Sequence, residues 1–414
     1  MSVSNVRIKL TTRDEDLKVD ENPINVPVDL KRYGLSEIIN QLLENSEPIS
    51  FDFLIDGKLL KGSLQDFMRN ENLSSESIIE IEYVQAVEPP TFMAAYEHDD
   101  WVSGVHINKS ISQIATGSYD GCVRIWDSSA QVKHTFSGHQ GAVLSVKWLG
   151  DNKVVSGSRD RNLHIWNTDG KELSAILKGH TGPVTSLSVL SRERIVSGSA
   201  DHTLKVWTSR IKELPDYEAP ELSHSTSSSV KRRKIADKHT QNAKVKGSLL
   251  TLEGHLASVT DVCAHPIEKD VVYSVSEDHT VRTWDLVTSQ NVDTKTTGFS
   301  LLSIASLGPT TQLLACGSSA RHIILVDPRS ATHASVNQLN GHKNFVVSIA
   351  PNPQNSYQFA SGSHDGTIRI WDVRSDKSMF TLERQQKDQD VYCLDWADYI
   401  AAGGRDKQLE LYNI

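Results

Sequence analysis

His, Ser and Asp recur together along this chain, and from these three side chains hydrolases build a nucleophile, its base and an orienting carboxylate. In the clearest instance they are His139, Ser156 and Asp160, with Trp166 closing the segment. A nucleophilic set is needed once. Here the phrase returns as TGSYD, SGSRD, SGSAD, SVSED, SGSHD and AGGRD, followed by apolar runs that close on Trp126, Trp166, Trp207, Trp284, Trp371 and Tyr412. A seventh copy, CGSSARHIILVD, keeps the shape and loses the Asp and the Trp. Recurrence assigns these residues to structure, and none is read as catalytic. The sequence also shows no phosphate-binding Gly-rich loop, zinc cluster or unrepeated acid–base set.

The elements that carry the phrase are strands. The closing positions 126, 166, 207, 284, 326, 371 and 412 lie 40, 41, 77, 42, 45 and 41 apart. Within a unit, apolar residues follow strand spacing, as in Val143, Val146 and Trp148 and then Leu163 and Ile165, with turn residues between the runs. One such unit cannot cover both of its faces, so neighbours must stack. With Gly-His pairs at 138–139, 179–180, 254–255 and 341–342 and Trp-Asp ends at 126, 284 and 371, the region from about residue 90 onward resembles the WD-repeat family. The resemblance implies a seven-bladed propeller with one four-stranded blade per repeat. It also implies that His139, Ser156, Asp160 and Trp166 form a buried hydrogen-bonded tetrad. The fifth repeat lacks the Gly-His and the Asp, and the seventh has a charged run over 383–390 where the His should be. Those two blades are expected to be held by packing instead. The last repeat reaches Ile414 with three strands, and Thr91, Phe92, Met93, Ala94, Ala95 and Tyr96 are expected to supply the fourth.

Residues 4–85 carry no repeat. Val6, Ile8 and Leu10 alternate as a strand, Asn25 to Val28 read as a second, and Leu35, Ile38, Ile39, Leu42 and Leu43 mark one face of a helix. Phe51, Phe53 and Ile55 form a third strand before the turn Asp56-Gly57-Lys58. A short helix follows around Leu64, Phe67 and Met68, and a last strand runs through Ile79, Ile81 and Tyr83. This order resembles the β-grasp of ubiquitin-like domains. Ubiquitin is attached through a free Gly-Gly end, whereas this segment continues through Glu88-Pro89-Pro90 into the repeats. It reads as a fixed handle for another protein. The expected architecture is mainly β: a small α+β ubiquitin-like domain at 1–87, a linker and propeller-closing strand at 88–98, and the propeller at 99–414.

That combination, with the stretches LKRYGLSEI, FDFLIDG, LSSE, SVSEDHTVRTWDLVT and LLACGSSARHI, resembles the fungal WD-repeat subunits that join pescadillo and block-of-proliferation in a trimer acting on precursors of the large ribosomal subunit. The resemblance implies a non-enzymatic role in pre-rRNA processing and 60S pre-ribosome maturation. The propeller would bind the block-of-proliferation partner. Midasin, an ATP-driven motor, would grip the ubiquitin-like domain through a Mg²⁺ ion with an open coordination position. Mg²⁺ takes hard oxygen ligands, so a carboxylate completes its octahedron. The family's ligand precedes the last strand of this domain, which points to Glu76; by composition alone Glu76 reads as a solvated loop acid. No cofactor of the chain's own is implied.

The net charge of −9 argues against a surface that wraps RNA over its whole extent. Cys122, Cys263, Cys316 and Cys393 show no pairing or metal spacing and read as buried thiols of a reducing compartment. No signal sequence and no long apolar run is present, so no membrane association is expected. The 77-residue spacing marks an insertion over about 209–247, rich in Ser, Lys and charge and expected to be disordered. At its centre Lys231, Arg232, Arg233 and Lys234 suit solvation, nuclear import or an RNA contact. Together with the ribosome-assembly resemblance they point to import, and to residence in the nucleolus and nucleoplasm. The alternative reading is a substrate receptor in ubiquitin-dependent degradation, where propellers and ubiquitin-like domains both occur.

Overall fold

The computed structural model describes residues 5–12, 17–20, 22–45, 48–71, 78–86, 89–190, 193–217, 243–330, 337–386 and 389–414. The chain divides into one unit of Met1–Pro89 with Val373–Ser375 and a second of Pro90–Asp372 with Asp376–Ile414.

The first unit is built from β1 (Asn5–Thr11), β2 (Ile24–Pro27), α1 (Arg32–Leu42), β3 (Phe51–Ile55), β4 (Lys58–Leu59), α2 (Leu64–Asn70) and β5 (Ile79–Gln85). The sheet order is β2-β1-β5-β3-β4, with β1 parallel to β5 and the other pairs antiparallel. This is the β-grasp arrangement. Alternation puts Val6, Ile8 and Leu10 of β1 and Ile79, Ile81 and Tyr83 of β5 on the buried face, against Leu35 and Ile39 of α1. The β3–β4 turn holds Asp56 and Gly57 at φ 49° and 75°, the left-handed pair that a two-residue hairpin requires. Ser63 caps α2 by accepting the Asp66 N–H at 3.2 Å.

The second unit is a propeller of seven sheets. The strands of blades 1 to 6 lie at 102–137, 143–177, 184–189 with 194–208 and 250–253, 259–296, 301–326 with 337–340, and 346–383, and blade 7 comprises the strands over 391–413 together with β6 (Thr91–Glu97). β6 lies antiparallel to Gln408–Asn413, with Glu97 opposite Gln408 and Thr91 opposite Asn413. Its pairing closes the ring at the one place where the chain does not run on from blade to blade. The apolar cores lie between blades: Leu163 and Ile165 of blade 2 pack with Leu187, Ile195 and Trp207 of blade 3, and Tyr96 and Trp126 pack with Leu409 and Leu411.

Two expectations are corrected. The ends of the insertion are ordered. Leu214 is buried with Ile211 packed beside it, and Lys244–Lys246 forms a fifth strand, parallel to Glu172–Leu177, on the outer edge of blade 2. The Lys246 ammonium ties the two ends by donating to Leu214 O at 3.1 Å and to Asp216 at 2.7 Å. A compositional average over 209–247 dilutes these few anchoring residues. Blade 7 is not held by packing alone. Arg384 donates to Asp406 through Nε and Nη2 at 2.9 Å each, and to the carbonyls of Ala402 and Gln408. Glu410 accepts from Tyr412 Oη at 2.5 Å and from the Gln385 N–H at 3.1 Å. The charged run therefore supplies a buried cation in the tetrad's place. Of the four thiols, Cys316 and Cys393 are buried while Cys122 and Cys263 are half-buried.

Candidate functional site

In blade 2, His139 meets Asp160 through Nδ1 and Ser156 Oγ through Nε2, each at 2.8 Å, and Trp166 Nε1 donates to the same Ser156 oxygen at 2.8 Å. The structure thus brings all four predicted residues together. The same set joins His180, Asp201, Ser197 and Trp207, then His255, Asp278, Ser274 and Trp284, then His342, Asp365, Ser361 and Trp371. The Gly before each His lies against the Trp ring, where a Cβ would be tight. A Cβ on Gly138 would stand 3.1 Å from Trp166 Cη2, and one on Gly341 3.0 Å from the same atom of Trp371.

The connectivity is that of a hydrolytic triad, yet it is sealed. Ser156, Ser197, Ser274 and Ser361 are fully buried, and each hydroxyl already accepts the indole N–H. No path leads a substrate carbonyl to the oxygen, so the network is a strand clamp whose members satisfy one another. Burial by itself would raise the Asp160 carboxyl, but the hydrogen bond and charge of His139 and the N–H groups of Gln140 and Asn162 outweigh it and hold it at about 2. Asp278 is held at about 2 in the same manner by Thr280, Leu256 N–H and His255. The second carboxylate oxygen shapes the following turn by accepting an N–H two residues on, as from Asn162 and Thr203. The intervening residue takes φ 72° at Arg161, 69° at His202 and 77° at Gly366.

His139, Asp160 and His164 come close enough to suggest a metal centre. The two imidazoles are stacked 3.7 Å apart at 9°, so their in-plane lone pairs cannot converge on one ion, and both nitrogens of His139 are engaged. Burial keeps His164 neutral.

Blade 1 has its own version that sequence reasoning missed. His98 Nε2 meets Thr116 Oγ1 at 2.9 Å, and Trp126 Nε1 donates to that oxygen at 2.8 Å. His98 follows Glu97 rather than Gly, but it stands 18 residues before Thr116, where His139 stands 17 before Ser156, and that spacing was the available signal. Burial, aided by Arg124, pushes its pKa down to about 4.

The first strands of the blades line a channel of about 400 Å³. Its polar side chains clasp one blade to the next: Asp261 accepts the Ile304 N–H at 2.9 Å, Asp395 the Ile107 N–H at 2.6 Å and Ser348 the Leu394 N–H at 2.9 Å. Where blades 7 and 1 adjoin, Trp101 lies 5.3 Å from Tyr119 and 5.9 Å from Tyr392, with the Arg405 guanidinium 5.5 Å from the Trp101 ring. Aromatic and Arg side chains of this kind are the types that dominate protein-binding hot spots. Glu76 and the run Lys231, Arg232, Arg233 and Lys234 lie outside the described residues.

Residues 6–68 match the NLE (NUC135) domain, and residues 91–127, 130–167, 171–208, 246–285 and 334–372 match the WD domain, G-beta repeat. The chain is 44% identical to the ribosome biogenesis protein YTM1 of Meyerozyma guilliermondii over 98% of its own length and 95% of the relative's. With YTM1 of Eremothecium gossypii the identity is 42% over 98% and 97%, and with that of Saccharomyces cerevisiae (strain S288c) it is 41% over 99% and 97%. The chain belongs to the YTM1 family of ribosome biogenesis proteins. In this family member the matched repeats end on the five blades whose third strand closes on a Trp, while blades 5 and 7 close on Val326 and Tyr412.

Proposed function

We propose that this chain is a non-enzymatic assembly factor of the large ribosomal subunit, acting in pre-rRNA processing and 60S pre-ribosome maturation in the nucleolus and nucleoplasm. The observation that carries the reading is the near full-length similarity to ribosome biogenesis proteins, together with a triad-like network that is sealed in every blade where it occurs. The propeller docks a block-of-proliferation-type WD protein within a trimer that includes a pescadillo-type protein, and the aromatic–arginine cluster around Trp101 supports a protein-binding role. The β-grasp unit is the handle for a midasin-type motor. Glu76 donates its carboxylate to the motor's Mg²⁺, on the chemistry of the residue alone; the ion supplies a hard, octahedral attachment point and no reaction on this chain. Lys231, Arg232, Arg233 and Lys234 serve nuclear import.

Affinity purification of the tagged chain from its own cells tests the assembly role. Pescadillo-type and block-of-proliferation-type proteins with large-subunit precursor RNA should co-purify, and cullin or proteasome components in their place would refute it. Glu76→Ala should abolish Mg²⁺-dependent capture of the motor while leaving propeller docking intact; undiminished capture would remove Glu76 as the ligand.

A further inference from the structure

Resting on the reading that the β-grasp unit is pulled, we propose that β6 is a tension latch: force applied through the first unit strips Thr91–Glu97 from Gln408–Asn413 and opens the propeller at its seam. The covalent path from that unit enters the ring at Thr91, the first residue of the strand that closes blade 7. The ladder is loaded from its Thr91–Asn413 end, so its pairs part in sequence rather than together. The ladder is also irregular near that end, where Phe92 meets Tyr412 edge-on at 6.1 Å. A register shift lies between Leu411 and Tyr412 and leaves Met93 without an opposite residue, and Thr91, Phe92, Met93, Ala95 and Glu97 are exposed. Tyr96 alone is buried, against Trp126 at 5.2 Å.

Stripping has a defined stop. The residue after β6 is His98, buried and held by Thr116 Oγ1 within the blade 1 clamp. Tension therefore frees seven residues, leaves blade 1 standing, and bares the edge of Gln408–Asn413. A partner seated across blades 7 and 1 would lose its footing as the force arrives, so pulling converts into release rather than drag.

The test is single-molecule pulling of the full chain, with one handle at the N-terminus and one at position 287 on blade 4, where Val287 is 76% exposed. A first release of roughly 25 Å, the extended length of seven residues, is expected before any larger event. The pair T91C/N413C provides the lock at the loaded end. Thr91 and Asn413 are opposite one another in the ladder, where antiparallel Cα atoms stand about 4.5–5.5 Å apart, a separation that a disulfide spans. Oxidation should abolish the short release and reduction restore it. A short release that survives the crosslink, its absence from the reduced chain, or unfolding of the β-grasp unit at lower force overturns the latch. The assay contains no motor, and Glu76→Ala should leave the short release unchanged, so failure of the motor reading is seen separately, as lost or unaffected motor capture.

Discussion

Replacing Arg384 by Met should be among the most damaging single changes in the propeller. The side chains of Arg384, Asp406 and Glu410 are all 0% exposed. Arg384 is the cation in this group, donating to Asp406 and to two carbonyls and lying 3.5 Å from Glu410 Oε2. R384M keeps the volume and leaves two carboxylates buried without their counter-charge, a loss of about 3–5 kcal/mol. A loss of about 4 kcal/mol multiplies the unfolded population on the order of 10³-fold. Urea unfolding followed by Trp fluorescence reads the propeller alone, since the eight Trp all lie at or beyond residue 101. The triple variant R384M/D406N/E410Q removes the charges together and should recover more than half of the loss, because a neutralised site no longer holds unpaired charge. A cost below about 1 kcal/mol for R384M, or a triple variant no more stable than the single, would refute the claim that the network replaces the tetrad.

Acid should weaken the propeller in two stages. Burial, aided by Lys147, puts His106 at about 4, and His98 is held at about 4 as well, both below the ordinary imidazole value. The unfolded chain therefore binds more protons, and the stability present above about pH 6.5 falls as pH drops toward 4. Asp160 and Asp278, held at about 2, keep their contribution above about pH 4 and lose it as pH falls through 2. Urea midpoints across this range check both stages, and H106Q should flatten the first. Removing residues 1–89 should leave the propeller's melting curve nearly unchanged, whereas removal through Glu97 deletes β6 and should lower it by several degrees in calorimetry. Gly366→Ala, at φ 77°, should cost about 1–2 kcal/mol in the same urea assay, and no change would mean that the turn is not strained.

The repeat phrase made the propeller legible because four of the blades use the same chemistry: a Gly that admits the Trp edge, a Ser hydroxyl that the indole N–H and the imidazole share, and an Asp that serves the His and the turn at once. Hydrophobic periodicity likewise exposed the β-grasp unit, since Leu35 and Ile39 must face Ile8 and Phe53 for so small a core to close. Local pattern therefore determined which segments become strands, how many blades they form, and that His139, Ser156, Asp160 and Trp166 meet. It could not show that Arg384, 26 residues before Glu410 in a run that reads as solvated charge, would be the buried partner of Asp406 and Glu410. Nor could it show that Leu214 and Lys246 tether the insertion to blade 2, or that Glu97-His98 serves two blades at once. These outcomes depend on which chain segments the closed ring brings side by side. A charge is read as exposed or paired only once its neighbours are fixed, and those neighbours are set by ring closure, which acts through tertiary distance rather than through sequence spacing.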